Sequence, residues 1–553
     1  MRVRGYESSR PMPWERHRRT KQTEKEEDKM VAQKFGAAWA AFMSSTVAAS
    51  SMPRHTITER AADPVVHLDN GLSVQGRLAP AASTVTEFLG IPYAQPPVDD
   101  LRWAPPQEYE VASNSSVVNA TALPPSCWQY ISVHPGILRT DAPEYMIGSA
   151  GMAEDCLTMS VWAPAKALEA EEALPVLIWF YGGGFATGGI DVPYQIPVDW
   201  IERSQSHIVV SFNYRLNIFG FPTAAALEEQ NFGLMDQRFA VEWIQENIAK
   251  FGGDPERMVI WGQSAGSTAV DMYNFAYAEE PIVKGLIMDS GTAHLDILIN
   301  RETTEFSSFS LVAAHFGCGN QTTSEAELEC MRKVPAAELE NFVATYEDSG
   351  ASPSINFIPV VDDKLVFNNY TEKAAGGEMS DLPAIIGFNE NEGLFLTTYN
   401  ATNPDLETAL EYSYNYFWCP ATLTTYERLE NSRVTHRYYY TGNFTNTSPQ
   451  PWMGAYHESE LPMLFGTHMN FRGNSTPFEY AVSHTLQDAY LAFVADPVDG
   501  LNSIGWPAYE GPGGTVMQWA DMSNLTLAHL TTVTDIEQGC ESKGLLTSLA
   551  QGS

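Results

Sequence analysis

Basic side chains are scarce in this chain: 32 Lys and Arg stand against 68 Asp and Glu, a formal net charge of −36. A nucleic-acid partner needs a basic surface to neutralise its phosphates, so that class is excluded. The acidic excess would draw cationic solutes, or, more plainly, keep the protein soluble. Cysteine is sparse too. The six are Cys127, Cys156, Cys318, Cys330, Cys419 and Cys540, with no CxxC pair of the kind that holds zinc. No internal repeat is visible, which argues against a solenoid or propeller. No segment reads as long and apolar enough to cross a bilayer, so no stable membrane insertion is expected.

What the chain does have is apolar mass. Hydrophobic residues make up 44% of 553, with 13 Trp, 24 Tyr and 26 Phe. That is enough for a large core and argues against disorder over most of the length. Residues 1–29 are highly charged and read as a disordered tail or a gene-model extension. Residues 30–52 have a basic start, an apolar stretch from Phe35 to Ala49 and small residues at its end, the pattern of a signal peptide. Nine Asn-x-Ser/Thr sequons, at Asn114, Asn119, Asn320, Asn369, Asn400, Asn443, Asn446, Asn474 and Asn524, fit a secretory route with disulfides.

From about residue 60 the composition is even, and residues 60–545 read as a single domain. Leu174–Tyr181, His207–Asn213, Met258–Trp261, Gly285–Met288 and Pro383–Gly387 are short, almost unbroken apolar runs. Helical spacing appears between Gly233 and Phe251, at Phe239, Val241, Ile244 and Ile248. Buried strands alternating with helices predict an α/β fold with a mostly parallel sheet covered on both faces.

Gly262-Gln263-Ser264-Ala265-Gly266 follows one of these strands and precedes a predicted helix. Such a turn strains the backbone of its central residue. Flanking glycines let it lie close to its neighbours, and the Ser hydroxyl is lifted to the positive end of a helix. Ser264 is therefore the candidate nucleophile. Upstream, Gly182-Gly183-Gly184 follows another buried strand. Consecutive glycines leave backbone N–H groups free to meet an oxyanion, and the expected donors are the amides of Gly183, Gly184 and Ala265.

These features, with longer motifs around them, resemble the type-B carboxylesterases, a family of α/β-hydrolases that includes cholinesterases and fungal lipases. The motifs are Gly90–Pro97 (GIPYAQPP) with Leu101-Arg102-Trp103, Glu154–Leu157 (EDCL), Asn213–Leu216 (NYRL), Asn231–Arg238 (NFGLMDQR) and Asn247–Pro255 (NIAKFGGDP). The resemblance runs from about residue 64 to 540. It implies an α/β-hydrolase fold, a mostly parallel central sheet flanked by helices, and a secreted enzyme that cleaves small-molecule esters through an acyl-enzyme without metal or organic cofactor. It also supplies the other catalytic residues. Glu392 stands in Gly387–Gly393 (GFNENEG), with Glu390 as the neighbouring alternative, and His457 precedes Phe465-Gly466. His468 and His484 are read as structural or surface groups. The cysteine pairs implied are Cys127–Cys156, Cys318–Cys330 and Cys419–Cys540.

The chain departs from its relatives in four places. Gln263 stands where cholinesterases carry a Glu that holds choline, which weakens a choline reading. The segment between Cys127 and Cys156, a longer lid in fungal lipases, is short here and favours soluble esters; its Trp128 is read as a packing residue. Pro353–Asn356 (PSIN) replaces the bulky aromatics that narrow an acetyl pocket, so acyl groups larger than acetyl are expected to fit. The interval from Glu392 to His457 is also short, removing material around the entrance. Two rivals remain: a lipase acting on longer acyl chains, and a non-catalytic cholinesterase-like binding module, against which the intact Ser264, Glu392 and His457 stand.

Overall fold

The computed structural model describes residues 63–111, 116–301, 307–319 and 322–551. The charged tail, the signal-like segment and the sequons at Asn114 and Asn320 lie outside them. Eleven strands of the described residues form one mixed sheet: β1 (Arg77–Leu78), β2 (Val85–Pro92), β3 (Thr158–Pro164), β4 (Leu174–Phe180), β5 (Ile208–Phe212), β6 (Gly253–Gln263), β7 (Gly285–Asp289), β8 (Ala384–Asn389), β9 (Thr435–Tyr440), β10 (Thr515–Asp521) and β11 (Thr526–Thr532). Their spatial order is β11-β10-β9-β8-β7-β6-β4-β5-β3-β2-β1. From β5 to β10 neighbouring strands run parallel. The outer pairs are antiparallel.

The five apolar runs legible in the sequence became β4 to β8, where both faces of each strand are buried and no alternation is required. The outer strands were missed because their chemistry is mixed. β9 reads Thr-His-Arg-Tyr-Tyr-Tyr, yet five of its six residues are buried. Arg437 is fully buried there and pairs with Glu537 at 3.1 Å. A buried strand whose charge is paired from a distant helix does not announce itself by hydropathy.

Helices flank the sheet. The main ones are α1 (Phe232–Asn247), α2 (Ala265–Ala276), α3 (Ala336–Asp348), α4 (Cys419–Glu430), α5 (Pro477–Ala495) and α6 (Thr534–Ser542). The predicted helix after Gly233 is α1, continued by one 3-10 turn to Phe251. α5 starts on a capping box, with the Thr476 hydroxyl accepting from the Glu479 amide and the Glu479 carboxyl accepting from the Thr476 amide. α2 is buried from Ala265 to Phe275 and packs on β6 and β7. Beside the Ser264 turn, Trp261 stacks on Phe465 with ring centroids 4.9 Å apart, and Trp179 lies 4.3 Å from Trp261. This aromatic floor gives the active end of the sheet little room to move.

Three disulfides are formed, Cys127–Cys156, Cys318–Cys330 and Cys419–Cys540, the pairs implied by the family resemblance. The third joins the start of α4 to α6 across 121 residues of chain. Of the sequons, Asn119, Asn400, Asn443, Asn474 and Asn524 are exposed and Asn369 is half-buried. Asn446 is 4% exposed, and its side-chain amide donates to the His468 carbonyl and the Ser475 hydroxyl at 2.8 and 2.9 Å. That amide has no room for a glycan in the folded protein.

Closing so long a loop restrains the unfolded chain by about 4–5 kcal/mol in the chain-entropy account. The double variant Cys419→Ser/Cys540→Ser is therefore expected to lose activity on heating at a lower temperature than the parent. The check is a thermal-inactivation series on both proteins; equal midpoints would show that the bridge adds nothing.

Candidate active site

The site is assembled at the carboxyl ends of β6, β7 and β8. Ser264 closes β6 and caps α2 with φ 55° and ψ −123°, a left-handed conformation that a side-chain-bearing residue holds only under constraint. The constraint is visible. The Ser264 amide donates to the Asp289 carbonyl at 2.9 Å, at the end of β7. A Cβ on Gly262 would lie 2.3 Å from the Gly266 carbonyl oxygen, and one on Gly266 would lie 2.0 Å from that of Phe180. Only glycines pack at those two positions.

Glu392 opens a 3-10 turn just beyond β8 and is fully buried. One of its oxygens accepts from the Ser290 hydroxyl at 2.5 Å and from the Asn389 amide at 2.6 Å. The other meets Nδ1 of His457 at 2.5 Å. Glu390, the alternative acid, is exposed and makes no hydrogen bond to His457. The His457 ring is held between Phe395, stacked at 4.4 Å, and Phe417 at 4.7 Å. Two aromatic faces and one carboxyl leave the imidazole a single orientation.

With Nδ1 donating to Glu392, Nε2 is an acceptor. It faces the side-chain amide nitrogen of Gln263 at 3.1 Å. Among the described residues the Ser264 hydroxyl makes no hydrogen bond of its own. Gln263 therefore occupies the proton-accepting face of His457 in this state, a contact that sequence reasoning did not foresee.

The amides of Gly183 and Gly184 donate to no acceptor among the described residues, and that of Ala265, first in α2, has none within its helix. Gly183 and Gly184 have φ of 106° and 66°. A Cβ on Gly183 would lie 2.4 Å from the Thr187 carbonyl oxygen. The turn that frees these donors is thus one that glycine permits and other residues resist.

Further carboxyls cluster near the Glu392–His457 pair. Asp289 accepts from the Trp261 indole and the Tyr490 hydroxyl at 2.5 and 2.8 Å, and burial pushes it up to about 7. Burial also holds Glu460, which accepts from the Asn389 side chain, well above the usual carboxyl range. Glu458 is raised to about 7, first by burial and then by Glu392, against the pull of His457. Like charges this close, out of water, cannot all ionise together. Sequence reasoning missed Ser290, Asn389, Phe395 and Phe417 as supports of the pair. The one signal available was that Asp289-Ser290 ends the strand beside the nucleophile's.

The remaining assignments separate clearly. His468 is 1% exposed, takes a 2.6 Å hydrogen bond with Ser475, and is pushed by burial down to about 4. His484 is exposed. Trp128 packs with Trp103 and Phe219 in a second apolar cluster, as expected of a packing residue. The segment from Cys127 to Cys156 is fastened at both ends of its span. Asp348, at the end of α3, accepts from Tyr130, Ser132 and the Val133 amide at 2.6, 2.6 and 2.9 Å. Further along, the Tyr145 hydroxyl donates to the Glu458 carbonyl at 2.9 Å, next to His457. Among the described residues no group of three or more His, Cys, Asp or Glu side chains is arranged to hold a metal ion, and no helix is long and apolar enough to cross a membrane.

Known proteins share this arrangement of sequence. The family model for carboxylesterases matches residues 62–433. A secreted lipase 5 of Gibberella zeae is 42% identical over 459 residues, covering 77% of this chain and 84% of that protein. A chlorogenic acid esterase of Aspergillus niger is 41% identical over 471 residues, covering 80% and 90%. A cholinesterase of Mus musculus is 29% identical over 488 residues, covering 77% and 78%. With the matching model over most of its length, the sheet order and the elbow, the chain belongs to the carboxylesterase family of α/β-hydrolases, enzymes that cleave carboxylic esters.

Proposed function

We propose that Ser264 attacks the ester carbonyl with His457 as its base and Glu392 as the carboxylate that orients the imidazole and stabilises its positive form. The observation that carries this reading is the Glu392–His457 hydrogen bond, which joins residues 65 apart in the chain and turns the free nitrogen of the ring toward the nucleophile turn. On binding, the Ser264 hydroxyl takes the place of the Gln263 amide at Nε2. The ring removes the hydroxyl proton as the Ser264 oxygen bonds to the carbonyl carbon. The carbonyl oxygen becomes negative facing the amides of Gly183, Gly184 and Ala265. The C–O bond to the alcohol breaks, and His457 returns the proton to it. Water repeats the sequence on the acyl-enzyme.

The substrate is read as an uncharged ester with an acyl group larger than acetyl. Gln263 brings no charge to a choline head. The Pro353–Asn356 segment has no aromatic of its own, and its Ile355 is buried in the same apolar cluster as Phe219, Phe309 and Phe357. Secretion is supported by the three disulfides and by the similarity to the secreted lipase of Gibberella. The same relative keeps open a lipase reading, against which the fastened Cys127–Cys156 segment stands.

Three outcomes follow. Ser264→Ala should lower kcat on an aryl ester by about 10⁴-fold or more with the melting temperature unchanged; retained activity would remove Ser264 from the mechanism. In a panel of acetate, butyrate and octanoate esters sharing one alcohol, kcat/KM should favour an acyl group beyond acetyl, and strict acetate preference would refute the open pocket. The parent should show no rate jump when an ester passes its solubility limit, whereas Asp348→Ala, by releasing Tyr130–Val133, should gain activity on the emulsified ester. A jump in the parent would favour the lipase.

A further inference from the structure

The residue that follows His457 holds an unusual position. Glu458 has φ 77°, a left-handed backbone that glycine adopts freely and glutamate does not. It is 7% exposed. Its backbone carbonyl is held by the Tyr145 hydroxyl, so the strained turn is pinned from the Cys127–Cys156 segment. Its carboxyl, by contrast, makes no hydrogen bond among the described residues. A glutamate held at this positive φ carries a backbone cost that glycine would not. Packing does not explain that cost, because a glycine would satisfy the turn.

We propose that Glu458 is a positioning residue that gives the imidazole of His457 a second, switchable negative charge beside that of Glu392. The proposal rests on the triad reading above and extends it. Four titratable groups bear on Glu458: His457 and Glu392, which pull its ionisation in opposite directions, and the phenols of Tyr145 and Tyr456. Both phenols are held well above 10 and stay neutral, so the balance lies between burial, Glu392 and His457. The carboxyl is raised to about 7. Below that pH Glu458 is neutral and Glu392 alone steadies the imidazolium formed as Ser264 attacks. Above it, a second anion next to the ring stabilises that positive state further and makes Nε2 a stronger base.

The same ionisation has a thermodynamic sign. A carboxyl raised in the folded state from its ordinary 4.5 favours folding while protonated, and that contribution is lost as pH rises through about 7.

Glu458→Gln keeps the shape and removes the charge, so it separates the two roles. Wild type and variant are compared on one neutral aryl ester from pH 5.5 to 8.5, with Ser264→Ala as blank. The expected result is a wild-type-to-variant ratio of kcat/KM that grows about tenfold across this range, one pK unit of differential stabilisation. Glu458→Asp should restore part of that slope. In parallel, the melting temperature of Glu458→Gln should gain on that of wild type as pH rises from 4.5 to 8. A kcat/KM ratio that stays constant with pH would overturn the proposal and leave a structural role. Loss of activity in Ser264→Ala together with that flat ratio would keep the triad and reject Glu458, whereas an active Ser264→Ala would reject the triad itself.

Discussion

The site depends on one tight turn. Gly262 and Gly266 let β6, α2 and the end of β4 meet at distances that exclude any side chain, and Ser264 between them is forced to positive φ. The 2.9 Å hydrogen bond from its amide to Asp289 transmits that geometry to the next strand. The neighbouring Ser290 then braces Glu392, and Glu392 braces His457. Each link is a contact between adjacent parallel strands or the loops leaving them. The register of β6, β7 and β8 therefore sets the alignment of Ser264, Glu392 and His457, and the aromatic layer of Trp179, Trp261 and Phe465 resists its drift.

The central sheet was legible because its strands are buried on both faces and so spell continuous apolar runs. The elbow and the Gly182–Gly184 turn were legible because their backbone shapes demand glycine. Glu392 and His457 were legible only through long motifs shared with relatives, since a lone carboxyl or imidazole in a loop carries no local pattern. The outer strands stayed hidden for the opposite reason to the inner ones. Residues such as Arg437 in β9 are polar in the sequence and become acceptable in the core only after a distant partner, Glu537, arrives. The Gln263–His457 contact was hidden in the same way. Sequence reasoning weighed Gln263 for what it does to a substrate, while in the fold it touches His457 itself.

Burying Glu392, Asp289, Glu458 and Glu460 near one another is a poor way to gain stability. Hydrogen bonds from Trp261, Tyr490, Ser290 and Asn389 offset part of the cost, and protonation relieves more. Such a cluster makes the electrostatic surroundings of His457 depend on how many protons the group holds. The fastening of the Cys127–Cys156 segment to the Glu458 carbonyl links the loop over the site to the same neighbourhood.

Two sequons lie three residues apart at Asn443 and Asn446, with opposite fates. The first is exposed; the second is locked inside by His468 and Ser475. A glycan on Asn446 would have to displace both of those bonds, whereas one on Asn443 would project into solvent. Of two acceptor sequences this close together, only the first could carry sugar without dismantling the segment after β9.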